Sequence, residues 1–116
     1  MMKQLKSKLK QFATDRNWEQ FHSPKNLSMA LTKECAELME IFQWKTTDES
    51  ELGQLSNVDI YRIKEEIGDV TIYLVMLCER LGVDPIRAAL NKIQENTRKY
   101  PIPNSRNSCK KYVDLD

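Results

Sequence analysis

Two runs of helical periodicity, each opened by a cap signal and each carrying paired carboxylates on the border of its apolar stripe, constrain this 116-residue chain most. In the first run, Leu27, Ala30, Leu31, Leu38 and Ile41 recur at the steps of one helix face. Glu34 and Glu37 lie three residues apart beside that stripe, within ECAELME. In the second, Ile60, Ile63, Ile67, Val70, Leu74 and Leu77 mark the face to be buried, and Glu66 and Asp69 repeat the three-residue step within EEIGD. Side chains at i and i+3 share a helix face. Carboxylates at the edge of a core need a partner, because an unpaired buried charge is expensive. Neither stretch offers a Lys or Arg at a matching position, so a cation from outside is the simplest partner.

The punctuation between the runs sets the fold class. The opening is read as a helix over Lys3 to Thr14, with Leu5, Leu9 and Phe12 inward. The connector DRNWEQFHS ends on Ser23, a hydroxyl N-cap followed by Pro24 at the first helical position. A second helix is expected from Pro24 to about Trp44, then a mobile polar loop over Lys45 to Leu55. Ser56 with Asp59 resembles a capping box for a third helix, Asn57 to Leu81, with Gly82 as its stop and Gly68 in its middle. Asp84 and Pro85 repeat the cap signal for a fourth helix to Lys99, closed by Pro101 and Pro103. The tail from Ile102 to Asp116 has no period and is expected to be extended. The expectation is an all-α, four-helix bundle, one domain over residues 1–116, with short connections that favour antiparallel neighbours.

Composition enters as exclusions. A formal net charge of +1 leaves no excess of cations to displace counterions, which argues against a nucleic-acid partner. No apolar run approaches the roughly 20 residues of a membrane span, and the basic start has no apolar h-region, so a cytoplasmic, membrane-free protein is expected. Three cysteines without CxxC spacing are read as two small core residues, Cys35 and Cys78, and an unpaired thiol, Cys109. Long stripes, with Tyr73, Val75, Met76 and Leu90 beyond them, exceed what so small a domain buries alone, so a homo-oligomer is expected.

If the second and third helices pack antiparallel, Glu34, Glu37, Glu66 and Asp69 converge. Each like-charge pair at about 5 Å then opposes folding by roughly 3 kcal/mol at an effective dielectric near 20. Bound cations or protons relieve that. An all-oxygen donor set selects hard ions, Mg²⁺ before Mn²⁺. Di-iron bundles place ExxH pairs on their helices, and the single His22 precedes the second helix. A carboxylate Mg²⁺ site commonly completes its shell with substrate phosphates, which points to phosphate-ester or anhydride chemistry. Against this, an isolated ExxE is ordinarily a solvated helix face. On spacing alone Trp18, Trp44 and Tyr73 fit core packing as well as base stacking. His22 fits a packed or capping role, and Lys92, Asn96 and Arg98 fit either a solvated helix end or a phosphate grip.

The strings NWEQFHSPKNL, ECAELMEIFQWK, EEIGDVTIYLV and KYP with CKKYVDLD resemble the MazG-like nucleoside triphosphate pyrophosphohydrolases, most of all their dCTP pyrophosphatase branch. That resemblance spans about Arg16 to Leu115. It implies an all-α fold, a homotetramer in this branch, and Mg²⁺-dependent cleavage of a nucleoside triphosphate to monophosphate and pyrophosphate, a house-cleaning activity. It makes Glu34, Glu37, Glu66 and Asp69 the metal ligands, with Glu37 and Glu66 in catalytic roles. It places Trp18, His22, Trp44 and Tyr73 about the base and sugar, and Lys92 and Asn96 near the phosphates. The chain departs from the dCTP-cleaving relatives at Leu9, where they carry His, and at Thr97, Arg98 and Lys99, where they are richer in Arg. A non-catalytic helical interaction module, or a related all-α dUTP or phosphoribosyl-ATP hydrolase, is the alternative.

Overall fold

A computed structural model describes residues 1–114, and among them there are five α-helices and no strand. Two compact units divide the chain, residues 1–82 and residues 83–116.

The first unit is built on three helices: α1 (Met2–Asp15), α2 (Pro24–Phe42) and α3 (Asn57–Leu81). The cap signals act as read. Ser23 Oγ accepts from the Asn26 amide at 3.1 Å, and Ser56 Oγ accepts from the Asp59 amide at 3.1 Å. Gly82 stops α3 in the left-handed region at φ 66, its amide bonding back to the Cys78 carbonyl. The Asp59 side chain does not complete a reciprocal box. It turns to Lys45 Nζ at 2.9 Å, which ties the far end of α2 to the start of α3.

Three expectations need correcting here. α2 ends at Phe42, two residues short of Trp44, whose side chain is 87% exposed and gives the helix no burial to hold it. Segment 45–55 is not a featureless loop but two 3₁₀ turns, Asp48–Ser50 and Leu52–Gln54. A reciprocal box opens it: the Thr46 amide donates to Glu49 Oε1 at 2.8 Å and the Glu49 amide to Thr46 Oγ1 at 3.2 Å. Hydrogen bonding from the Thr46 amide, and then from the Thr46 hydroxyl, holds the Glu49 carboxyl below its ordinary range. Cys35 is exposed rather than core, because Glu34 takes the inward position and the next residue turns about 100° away. Cys78 is buried as expected.

The core of this unit is Ala13, Leu27, Ile41, Val75 and Cys78. α3 packs chiefly on α2 and also on α1. The buried flank of α3 differs from the expected stripe: Val75, which shares a cleft with α1 residues Leu9 and Ala13, goes inside, while Ile67 and Leu74 are left exposed. A methyl group added at Gly68 would meet nothing within 4 Å, so no close approach explains that residue within the protomer.

In the second unit, α4 (Pro85–Lys99) is capped by Asp84 Oδ1, which accepts from the Ile86 and Arg87 amides. Over its described residues, which end at Asp114, the tail is not one extended run; Leu115 and Asp116 lie outside them. It winds into α5 (Ile102–Ser105) and a 3₁₀ turn at Tyr112–Asp114, and Tyr112 meets the Tyr100 ring edge-on at 6.1 Å. No helix is long and apolar enough to cross a membrane among the described residues.

Candidate functional site

The antiparallel run of α2 beside α3 aligns their middles, and there the paired carboxylates meet. Glu34, Glu37 and Glu66 each bring one oxygen into a group whose members all lie within 4.8 Å of one another. Glu34 is the deepest, 9% exposed, and Glu37 and Glu66 are half-buried. Asp69, one turn further along α3, is outside that oxygen group but acts on it: its charge is among those that push the Glu34 carboxyl up.

Burial is the main cause of that shift. Together with hydrogen bonding to Glu37 and Glu66 and the charges of Glu37 and Asp69, it raises Glu34 from 4.5 to about 7. An ionised carboxylate cannot donate, so those carboxyl–carboxyl contacts are bonds only while a proton lies between them. Without one, Glu34 Oε2 and Glu66 Oε2 are buried acceptors with no hydrogen-bond partner. Lys33, one residue before the stretch Glu34–Glu40, approaches Glu37 at 3.8 Å. That lysine is largely exposed and touches the outer side of the cluster, so it leaves the inner oxygens orphaned. Two unpartnered buried oxygens in an all-carboxylate donor set fit a hard divalent cation, with Glu34, Glu37 and Glu66 as the residues that would hold it.

The aromatic residues are placed unevenly. Trp44 presents its ring to solvent, which removes the core-packing reading for it. Trp18 is partly exposed and meets Phe12 edge-on at 5.7 Å. Tyr73 is half-buried on α3. His22 lines a cleft of about 270 Å³ at the end of α3, together with Leu9, Glu19, Leu27, Val75 and Arg80 among others, and none of Glu34, Glu37, Glu66 and Asp69 lines it. Lys92 and Asn96 stand on α4 in the second unit, where Lys92 meets Glu95 at 3.5 Å and Asn96 is exposed. Arg80 was missed from sequence. A basic residue in the last turn of a helix reads as ordinary dipole compensation, and nothing local marks its distant partners.

An all-α protein with a buried carboxylate cluster between its two longest helices is thus the class defined by the fold and the site. The chain belongs to the MazG-like family, which matches residues 30–115. It is 46% identical over 105 residues to dCTP pyrophosphatase 1 of Bos taurus and of Homo sapiens, a match covering 90% of this chain and 62% of each relative. The chain therefore spans less than two thirds of the length of these curated relatives. The crystal structure of a pyrophosphatase from Archaeoglobus fulgidus superposes with a TM-score of 0.79 at 41% identity, over 86% of this chain and 92% of that one.

Proposed function

We propose that this chain is a divalent-cation-dependent nucleoside triphosphate pyrophosphohydrolase, acting on dCTP or a related canonical or modified nucleotide. The observation that carries this reading is the cluster of Glu34, Glu37 and Glu66 with its two orphaned buried oxygens. The names of its relatives, dCTP pyrophosphatase 1 and a pyrophosphatase, agree with it. In this reading Glu34, Glu37, Glu66 and Asp69 hold Mg²⁺, with Mn²⁺ as a substitute. The ion, when bound, offsets negative charge on the triphosphate and the leaving pyrophosphate. Glu37, less buried than Glu34, orients a water against the α-phosphorus and takes its proton, and Glu66 shares in orienting it. The new P–O bond forms as the α–β anhydride bond breaks, leaving a monophosphate and pyrophosphate. Trp18, His22, Trp44 and Tyr73 bind the base and sugar, and Lys92 and Asn96 approach the phosphates.

The proposed organisation is a single MazG-like domain over residues 1–116, supported by the family match over residues 30–115. The proposed assembly is a homotetramer, supported by exposed apolar side chains on α3 and α4. The proposed setting is the cytoplasm, where three free thiols stay reduced.

Incubating the purified chain with a panel of nucleotides and Mg²⁺, with products separated by chromatography, tests the reading. Monophosphate and pyrophosphate are expected, with activity abolished by a chelator. Release of orthophosphate, or full activity without divalent metal, would refute it, and a chain inert towards every nucleotide would point to an interaction module.

A further inference from the structure

The segment 16–23 joins α1 to α2 and carries two of the residues assigned to the base and sugar; the Trp18 amide bonds to the Ala13 carbonyl at 2.9 Å and its ring meets Phe12, which ties the segment to α1 but not to α3. Trp18 and Phe21 are both exposed, and Asn17 adopts φ 53, a left-handed conformation uncommon outside glycine. Its side-chain hydrogen bonds are local: Thr14 Oγ1 donates to Glu19 Oε1, Gln20 Nε2 to the Asn17 carbonyl, and Asn26 Nδ2 to the Phe21 carbonyl, each within five residues. Such bonds shape a turn at the end of α1 without fixing it against α3.

Arg80 does what they cannot. From the last turn of α3, its Nε donates to the His22 carbonyl at 2.7 Å and an Nη donates to the Glu19 carbonyl at 3.0 Å, across 58 and 61 residues of chain. The two acceptors bracket the 3₁₀ turn Glu19–Phe21, so one planar fork clamps both ends of it. Glu19, His22 and Arg80 also share the walls of the 270 Å³ cleft, whose floor includes Leu27 and Val75.

The helix adds a ruler. Glu66, Asp69, Tyr73, Met76 and Arg80 follow one another at steps of three and four, so they lie on one face of α3. From Glu66 to Arg80 that face runs about 21 Å, a distance on the scale of an extended nucleoside triphosphate with its contacts at both ends. A rigid α3 thereby holds carboxylates at its middle and the clamped segment at its end in fixed register.

We propose that Arg80 is a positioning residue: by clamping the Glu19 and His22 carbonyls it fixes the Trp18–His22 segment against α3, and so sets the affinity for the nucleoside of the substrate while leaving the bond-breaking step alone. The proposal rests on the nucleotide reading given above. Ordering the segment before substrate arrives removes an entropic penalty from binding, which enters KM. The carboxylates do not touch the clamp, so kcat is spared.

Two variants and two measurements test it. Arg80→Ala removes both donors, and Arg80→Lys keeps the charge but lacks the planar fork. Amide hydrogen exchange over residues 17–22 is expected to quicken by about tenfold or more in Arg80→Ala, with α2 and the first half of α3 unchanged. Steady-state kinetics on the wild type's best nucleoside triphosphate are expected to show KM raised about tenfold with kcat within about twofold, and Arg80→Lys falling between. Unchanged exchange over 17–22 overturns the clamp. Quickened exchange with KM unmoved, or a fall in kcat at constant KM, overturns its role in binding. Should Arg80→Ala fail to fold, the same comparison on Arg80→Lys decides. A wild type that turns over no nucleotide refutes the site reading and the binding half of the proposal with it, while the exchange measurement still decides the clamp.

Discussion

At the scale of single residues, Glu34 links stability to pH in a direction opposite to that of most carboxylates. Its carboxyl is raised in the fold from 4.5 to about 7, so the folded state holds a proton that the unfolded chain releases. The stabilisation from this group is complete below about pH 4.5 and is lost as pH rises towards 7. In metal-free protein the melting temperature is therefore expected to lose several degrees from this group between those limits, and Mg²⁺ is expected to restore it at pH 7 by replacing the proton. Melting curves at several pH values, with and without Mg²⁺, read this directly, and a Glu34→Gln variant should flatten the dependence. If stability rises through that window and ignores Mg²⁺, the cluster is not a cation site. Glu37→Gln and Asp69→Asn test the same cluster from the catalytic side. Each removes a repelling charge, so the metal-free protein should melt no lower than wild type. Each also removes a proposed ligand or base, so kcat/KM should fall by orders of magnitude, about 1.4 kcal/mol of transition-state stabilisation for every tenfold. A variant that melts several degrees lower yet turns over normally would make these carboxylates structural.

At the scale of elements, what was legible in the sequence was what local chemistry decides. Ser23 with Pro24, Ser56, Asp84 with Pro85, and Gly82 each carry their own instruction, and each opens or closes a helix where it was read. The three-residue carboxylate steps were equally legible, since helical geometry alone puts Glu34 with Glu37. That Glu66 joins them while Asp69 stands just outside depends on how two helices lie together, which spacing does not encode. The same holds for Val75, taken into the core, for Ile67, left at the surface, and for Arg80, whose partners lie some sixty residues away. The Thr46–Glu49 box was readable as T-x-x-E and was hidden only by its polar surroundings. Gly68 yields a test at this scale. It lies inside α3 with open space where a side chain would begin, and glycine there weakens a helix by about 1 kcal/mol relative to alanine. Gly68→Ala is expected to stabilise the protein by about 0.5–1 kcal/mol in urea unfolding, with the m-value unchanged. A loss of stability would mean that another chain approaches the backbone at that position.

At the scale of the whole molecule, the balance of buried and exposed apolar surface argues for assembly. The first unit buries few large side chains, while Ile67 and Leu74 on α3 remain exposed. α4 is the sharper case. Ile86, Leu90 and Ile93 follow one another at helical steps, and they are 59%, 55% and 60% exposed. α4 buries no residue at all. A one-sided apolar stripe on a fifteen-residue helix is marginal on its own in water and needs a surface to lie against. A second copy of the chain supplies one by symmetry, since each copy carries the same stripe. Light scattering at micromolar concentration is therefore expected to give about four times the 13.6 kDa of the chain. Leu90→Asp separates assembly from folding: at an exposed position the change should move the stability of a lone protomer by no more than about 0.5 kcal/mol. Placed in an apolar interface it buries an unpaired charge and should drive the particle to smaller species. The expected result is a lower mass with the helical circular dichroism of the first unit retained. A wild type that scatters as about 14 kDa, or a Leu90→Asp variant that keeps the full assembly, would place the covering surface for α4 elsewhere.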